Sequence, residues 1–246
     1  MIVFGNNIEE LDVVDSTNSY LLEKAKQSLC FEGNVVFSHF QREGRGQRDS
    51  SWVSNPGENL MCSIFIQPYF LSSSNFFLIS KVIAIAVHKE VSRVCKGALV
   101  EIKWPNDIYV NKKKIGGILI ENQFKGSIIN QAVIGLGLNI NQTDFFSLDA
   151  TSLKLEVAKD FDVKTVLLKI LQNFESLYFK IKKGYFIEIE NAYIDGLMNY
   201  NQRATYLVRN NKCIGTIKNI RNNGLLEVEI NNGIEYFQFK EISFVI

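Results

Sequence analysis

The stretch Val133-Ile134-Gly135-Leu136-Gly137-Leu138-Asn139-Ile140 decides the fold. A Gly-x-Gly pair can open the phosphate loop of a parallel dinucleotide-binding unit, but that loop needs a third glycine three residues on and a helix behind it. Position 140 is isoleucine, and the apolar run continues as a strand. The dinucleotide reading is excluded. Glycines inside a strand mark instead a place where something approaches the backbone closely. The neighbouring segments Val100 to Lys103, Ile108 to Val110 and Ile115 to Glu121 are short, β-rich and closely spaced, as in an antiparallel or mixed sheet.

Working outward, Ile8 to Val14 reads as a strand. Asp15-Ser16-Thr17-Asn18 then offers capping oxygens to a helix through Leu21, Leu22, Ala25 and Leu29. Val35 to Ser38 is a second strand, Gln41 to Asn59 a long polar loop, and Leu60 to Ile66 a further strand. Ser72-Ser73-Ser74 is expected to cap a helix that buries Phe77, Val82, Ile85 and Val91. A helix from Lys164 to about Lys182 is expected to cover the sheet.

Beyond about Tyr200 the texture changes to short strands punctuated by Asn222-Asn223-Gly224, Asn231-Asn232-Gly233 and Asn210-Asn211. These residues tolerate the positive φ of tight hairpin turns. Leu226, Val228 and Ile230 alternate with Glu227 and Glu229, the pattern of a half-buried strand. The expected fold class is α+β: a mixed, mostly antiparallel sheet covered by helices over 1–200, then a small C-terminal β-barrel over 201–246.

With 27 Lys+Arg against 26 Asp+Glu, the chain has no net field to draw it onto DNA or an anionic membrane. Anion binding must be local. The longest apolar run is too short to span a bilayer, and the N-terminus shows no signal peptide. Cys30, Cys62, Cys95 and Cys213 lie far apart, with only His39 and His88 as further metal ligands. Reduced thiols in a cytoplasmic protein are the simplest reading, and no metal-binding residue is assigned.

Three further segments carry chemistry. In Gly44-Arg45-Gly46-Gln47-Arg48-Asp49-Ser50-Ser51-Trp52 the glycines free the backbone to wrap an anion. Arg45 and Arg48 supply forked donors, and Trp52 supplies a stacking face. Taken alone, the segment reads equally as a solvated basic loop. Lys103-Trp104-Pro105-Asn106-Asp107 is a proline-stiffened corner presenting a cation, an amide and a carboxylate; a plain turn explains it as well. Lys114 precedes the paired glycines Gly116-Gly117 inside a strand.

In this order, Asp15-Ser-Thr-Asn18, the Gly44-Arg-Gly46 loop ending at Trp52, Lys103-Trp-Pro-Asn-Asp107, Lys114-Ile-Gly-Gly117 and Gly135-Leu-Gly-Leu-Asn139 closely resemble the biotin protein ligase family. The resemblance spans roughly residues 8–141. It implies a biotin/lipoate ligase-like catalytic domain with an SH3-like C-terminal barrel. The implied activity uses ATP, with Mg²⁺, to convert biotin to biotinyl-5′-AMP, then transfers biotin to a lysine of a biotin carboxyl carrier protein such as that of acetyl-CoA carboxylase. The form implied is the short one: 14 residues precede Asp15, too few for a DNA-binding module. Neither DNA nor a membrane is an expected partner, and a homodimer is left open.

By the same resemblance, Ser16, Thr17, Asn18 and Gln41 face or brace biotin, whose ureido ring needs uncharged donors and acceptors. Gly44, Arg45 and Lys114 lie near the biotin carboxylate and the ATP phosphates. Gly117, Gly135 and Gly137 let the ligand pass against the sheet. Arg48, Trp52, Asn106 and Asn139 belong to the nucleotide side, with Trp52 on the adenine. Arg45, Lys114 and Asp107 carry the chemistry, Asp107 positioning the attacking amine. Two positions depart from some members of the family: Gln47 and Val245 stand where those carry arginine.

Two rivals remain at this point. A lipoate ligase uses the same chemistry, but the polar Ser16, Thr17 and Gln41 set suits a ureido ring better than a dithiolane. A regulator or nucleic-acid-binding module built on the small barrel lacks the basic, aromatic-lined face it would need. The loop from Gln41 to Ser54 has little apolar area, so it is expected to be mobile until a ligand supplies partners.

Overall fold

The strand, cap and helix at the N-terminus build a parallel crossover. β1 (Ile8–Val14) leads into α1 (Thr17–Lys26), whose first turn is capped by the Ser16 side chain accepting from the Ser19 amide. The chain returns as β2 (Val35–Gln41), parallel to β1. The computed structural model describes residues 4–47, 50–146 and 148–245.

From β2 onward every pairing of the large sheet is antiparallel. Its order is β1-β2-β3-β7-β6-β5-β4, with β3 at Leu60–Ile66, β4 at Val100–Lys103, β5 at Asp107–Val110, β6 at Lys113–Lys125 and β7 at Ile128–Leu138. This is the mixed, mostly antiparallel sheet read from the sequence. β3 is buried along its whole length because both sheet faces are covered. One face meets α1 through Leu21, Val36, Phe65 and Val133. The other carries the main core beneath α2 (Phe77–Val94), α4 (Val163–Lys182) and α5 (Phe186–Asp195). A short α3 (Leu153–Val157) lies between α2 and α4 in the chain.

Two expectations change in detail. Ser72 to Ser74 do not cap α2; Ser73–Asn75 form a 3₁₀ turn, and α2 starts at Phe77 with no side-chain cap. Burial of the helix makes good the missing cap, since α2 is buried along most of its length. The amphipathic α4, capped by Asp162, packs chiefly on α2 and meets the sheet mainly at β3.

The C-terminal region is a five-stranded antiparallel sheet of order β11-β10-β9-β8-β12, its ladder open between β11 and β12 among the described residues. The strands are β8 (Arg203–Val208), β9 (Asn211–Ile220), β10 (Leu226–Ile230), β11 (Gly233–Phe237) and β12 (Ile242–Phe244). Asn231 and Asn232 both take positive φ at the β10–β11 turn, as expected; at β8–β9 the pair is Arg209 and Asn210, one residue earlier than read. Tyr206, Ile217, Leu226 and Val228 join the same apolar cluster as the large sheet. Lys81, buried in α2, ties that helix to α5 and to β9 by donating to Glu190 at 2.9 Å and to the Ile220 carbonyl at 3.4 Å. Among the described residues no helix is long and apolar enough to cross a membrane.

Candidate active site

Strand register builds the floor of the site. Because side chains alternate across a sheet, residues in register across neighbouring strands share a face. Lys103 pairs with Asp107, Asp107 with Gly117, Gly117 with Gly137 and Gly137 with Met61. The adjacent row is Ser63, Gly135 and Leu119, and the next is Phe65, Val133 and Glu121. The two glycine-bearing rows lack bulk in mid-sheet, and a cavity of about 200 Å³ opens there beside the N-terminus of α1.

The inner end of the cavity is neutral and closely bonded. Gln41 Oε1 accepts from the Thr17 amide at 2.7 Å and from Thr17 Oγ1 at 3.1 Å. Ser63 Oγ donates to Asn18 Oδ1 at 2.6 Å and lies 2.8 Å from Thr17 Oγ1. Asn18 Nδ2 donates to Glu121 Oε2 at 2.9 Å. Gly135 makes room for this network: a Cβ there would stand 2.3 Å from Asn18 Oδ1. The open face of Gly135 is thus filled by Asn18.

The outer end is charged. Lys114 Nζ meets Asp107 Oδ1 at 2.8 Å. Arg45 grips Glu121 with two nitrogens, Nη2 to Oε1 at 2.9 Å and Nη1 to Oε2 at 3.3 Å. Burial pushes the Lys103 ammonium below the ordinary lysine range, Asp107 opposing and Lys114 reinforcing that shift. Asn106 holds the corner by donating to the Ile118 carbonyl at 2.7 Å.

The loop from Gln41 to Asn59 is more structured than its composition suggested. Its first half is a narrow hairpin: the Gly46 amide donates to Ser50 at 2.7 Å, and the Trp52 amide to Gly44 at 2.8 Å. A side chain on Gly44 would strike the Trp52 carbonyl. Trp52 is the anchor that average polarity concealed. Its ring lies over Gly137, where a Cβ would be 2.5 Å from the indole, and touches the Gly117 position. The indole Nε1 is buried without an acceptor, an arrangement native sites seldom tolerate unless a ligand completes it.

Most sequence-assigned residues therefore meet: Ser16, Thr17, Asn18, Gln41, Arg45, Trp52, Asn106, Asp107, Lys114, Gly117, Gly135 and Gly137 all line the cavity. Asn139 stands apart; it is buried, and its amide donates to the Thr151 carbonyl at 3.0 Å. Arg48 lies outside the described residues. Gln47 lines the cavity, whereas Val245 does not. Sequence reasoning missed three contributors. Ser63 had a signal, a lone hydroxyl in an apolar strand; Glu121 and Lys240 had none, because only the fold brings them here.

Among the described residues no three His, Cys, Asp or Glu side chains cluster to hold a metal. Asp107 is the one carboxylate on the described wall. That donor set fits Mg²⁺, which is commonly held by one or two carboxylates, waters and substrate phosphates.

Residues 10–139 match the model of the biotin/lipoate A/B protein ligase family. The chain belongs to that family. Among its relatives it is 31% identical to the bifunctional ligase/repressor BirA of Bacillus subtilis over 241 residues, 95% of this chain and 72% of that protein. It is 32% identical to the biotin--[acetyl-CoA-carboxylase] ligase of Paracoccus denitrificans over about half of each chain, 51% in both cases. Its fold superposes on the biotin protein ligase of Aquifex aeolicus, solved in complex with biotin and ATP, with a TM-score of 0.80 and 25% identity, covering 97% of this chain and 98% of that one.

Proposed function

We propose that this chain is an ATP-dependent biotin–protein ligase, with residues 1–200 as the catalytic domain and 201–246 as an accessory barrel. One observation carries the reading: a neutral hydrogen-bonding pocket and a cationic trough share a single glycine-floored cavity. The pocket of Ser16, Thr17, Asn18 and Gln41 suits the uncharged ureido ring of biotin. The trough suits the biotin carboxylate and the ATP phosphates.

In the first step a carboxylate oxygen of biotin attacks the α-phosphorus of ATP and pyrophosphate leaves. Both reactants are anions, so Arg45 and Lys114 offset their repulsion and stabilise charge gathering on the phosphate oxygens. Arg48 is assigned to the same side from its place in the sequence. Mg²⁺, when bound with ATP beside Asp107, supplies further neutralisation. Trp52 covers the anhydride, and its Nε1–H can donate to the ligand. The Gly44 hairpin keeps water out. Asn106 braces the nucleotide side through the corner it holds.

In the second step a carrier lysine attacks the acyl carbon and AMP leaves. A free lysine has a pKa of about 10.4 and must lose a proton to react. Asp107, at the cavity wall, orients the amine and accepts that proton. The carrier is a biotin carboxyl carrier domain such as that of acetyl-CoA carboxylase.

The test is incubation with biotin, Mg²⁺ and α-labelled ATP, followed by a carrier domain with or without its acceptor lysine. An acid-labile biotinyl-adenylate and lysine-dependent transfer are expected. No adenylate, or preferential use of lipoate, would overturn the reading.

A further inference from the structure

The hydrogen bonds of the neutral pocket run out of the cavity to a charge. Asn18, in the first turn of α1, donates through Nδ2 to Glu121 Oε2 at 2.9 Å and to the Leu119 carbonyl at 3.3 Å. Its Oδ1 meets Ser63 Oγ at 2.6 Å. Ser63 Oγ lies 2.8 Å from Thr17 Oγ1, which lies 3.1 Å from Gln41 Oε1. Thr17, Asn18 and Ser63 are buried. The described wall of the cavity includes Thr17, Asn18 and Gln41, but neither Ser63 nor Glu121, which stand behind it.

The direction of these bonds follows from what each group can do. A carboxylate and a backbone carbonyl only accept, so the Asn18 amide must turn its NH₂ toward Glu121 and Leu119 and its oxygen toward Ser63. An amide oxygen also only accepts, so the single hydroxyl proton of Ser63 goes to Asn18. Thr17 Oγ1 therefore receives no proton from Ser63. It donates its own, to Ser63 Oγ or to Gln41 Oε1, and offers its lone pairs to the cavity. Bonds that point one way polarise one another, and a chain that ends on a charge is the stronger case.

We infer that Glu121 is a positioning residue that acts through Asn18 and Ser63 to make Thr17 Oγ1 an acceptor for an N–H of the bound ring. The inference deepens the ligase reading above and rests on it. A ureido ring has N–H groups to give such an acceptor and a dithiolane has none, so a carboxylate behind the pocket helps to select the ring inside it. Arg45 balances the charge from the other side, gripping the same carboxylate with two nitrogens at 2.9 and 3.3 Å.

The test is calorimetry on the full chain and on Glu121→Gln, with biotin and with the two analogues in which one ureido N–H is replaced by a ring oxygen. Glutamine keeps the size of the side chain, removes its charge and can present NH₂ to Asn18, which unsettles the direction of the chain. Trading a charged bond for a neutral one is expected to weaken biotin binding about tenfold. The analogue that gives Thr17 no N–H is expected to bind parent and variant alike. Glu121 is partly exposed, so the thermal midpoint is expected to move by no more than about 4 °C. Equal losses for all three ligands overturn the inference, because an effect carried by Arg45 or by a disturbed fold cannot tell N–H from oxygen; so does an unchanged affinity for biotin. Ser63→Ala cuts the chain between Asn18 and Thr17. In that background Glu121→Gln is expected to cost little more, and an undiminished loss also overturns the inference. A parent that binds biotin but forms no adenylate, with the expected loss in Glu121→Gln, sinks the ligase reading and keeps this one. A parent that binds no biotin sinks both.

Discussion

The two ends of the cavity are held together by different physics. At the inner end Thr17, Asn18 and Ser63 are buried and bonded to one another, with Gln41 closing the group and the buried Ser16 capping α1. An unmet donor or acceptor there would cost about 1–3 kcal/mol, so the network is complete before any ligand arrives. At the outer end Arg45 and Lys114 are partly exposed and held by ion pairs with Glu121 and Asp107. Exposed pairs contribute about 0–1 kcal/mol, so a ligand anion can take over a cation at little cost. A neutral ligand group meets a rigid template; a charged one meets exchangeable partners. Glu121 joins the two, since it binds both Asn18 and Arg45.

The sharpest way to break this contrast is to remove the divalent cation. With chelator present, adenylate formation is expected to stop while biotin binding, measured by calorimetry, persists; loss of both would show that the ends are not separable. Next in size, Arg45→Ala and Lys114→Ala are each expected to cut the rate of adenylate formation by roughly 100-fold or more, as removal of a transition-state charge partner does. Rapid-quench assays with unchanged rates would mean that the trough is misassigned.

The glycines give a paired comparison of smaller effects. Gly135→Ala drives a Cβ into the buried Asn18 amide, and overpacking of this kind costs about 1–3 kcal/mol of stability. Gly137→Ala pushes only on Trp52, whose hairpin can yield, so its thermal midpoint is expected to fall less while tryptophan emission shifts. Equal losses of midpoint would contradict the rigid-against-exchangeable picture. Smallest of all, proteolysis after Arg42 and Arg45 is expected to slow when biotin and ATP are added, because the ligand gives the hairpin partners beyond Trp52. Identical cleavage patterns would show a hairpin already closed.

Much of this was legible beforehand because it rests on local rules. The capping group at Ser16 sits next to its own helix, the Asn231-Asn232 turn is dictated by residues that tolerate positive φ, and Gly135 and Gly137 announced a close approach inside a strand. The errors came where burial overrode local preference. Ser72 to Ser74 look like a cap, yet α2 begins later, held by the core around it. The polar loop looked unanchored because one tryptophan among serines and charges barely alters composition, although its ring covers Gly137 and reaches the Gly117 position. Asn139 was placed on the nucleotide side by the resemblance alone, but it is buried and its amide serves the Thr151 carbonyl.

By itself the sequence determined the class of fold, the strand run that excludes a dinucleotide loop, and the residue types that a neutral ring and a phosphate require. These follow from side-chain periodicity and chemistry, which act over a few residues. Only the tertiary structure decided which groups share a face and which charges are already paired. Register across four strands aligns Asp107, Gly117, Gly137 and Met61; long-range packing sets Glu121 against Arg45 and carries Lys240 from a separate sheet to the cavity. Those contacts join residues tens to hundreds of positions apart, and no local pattern encodes them.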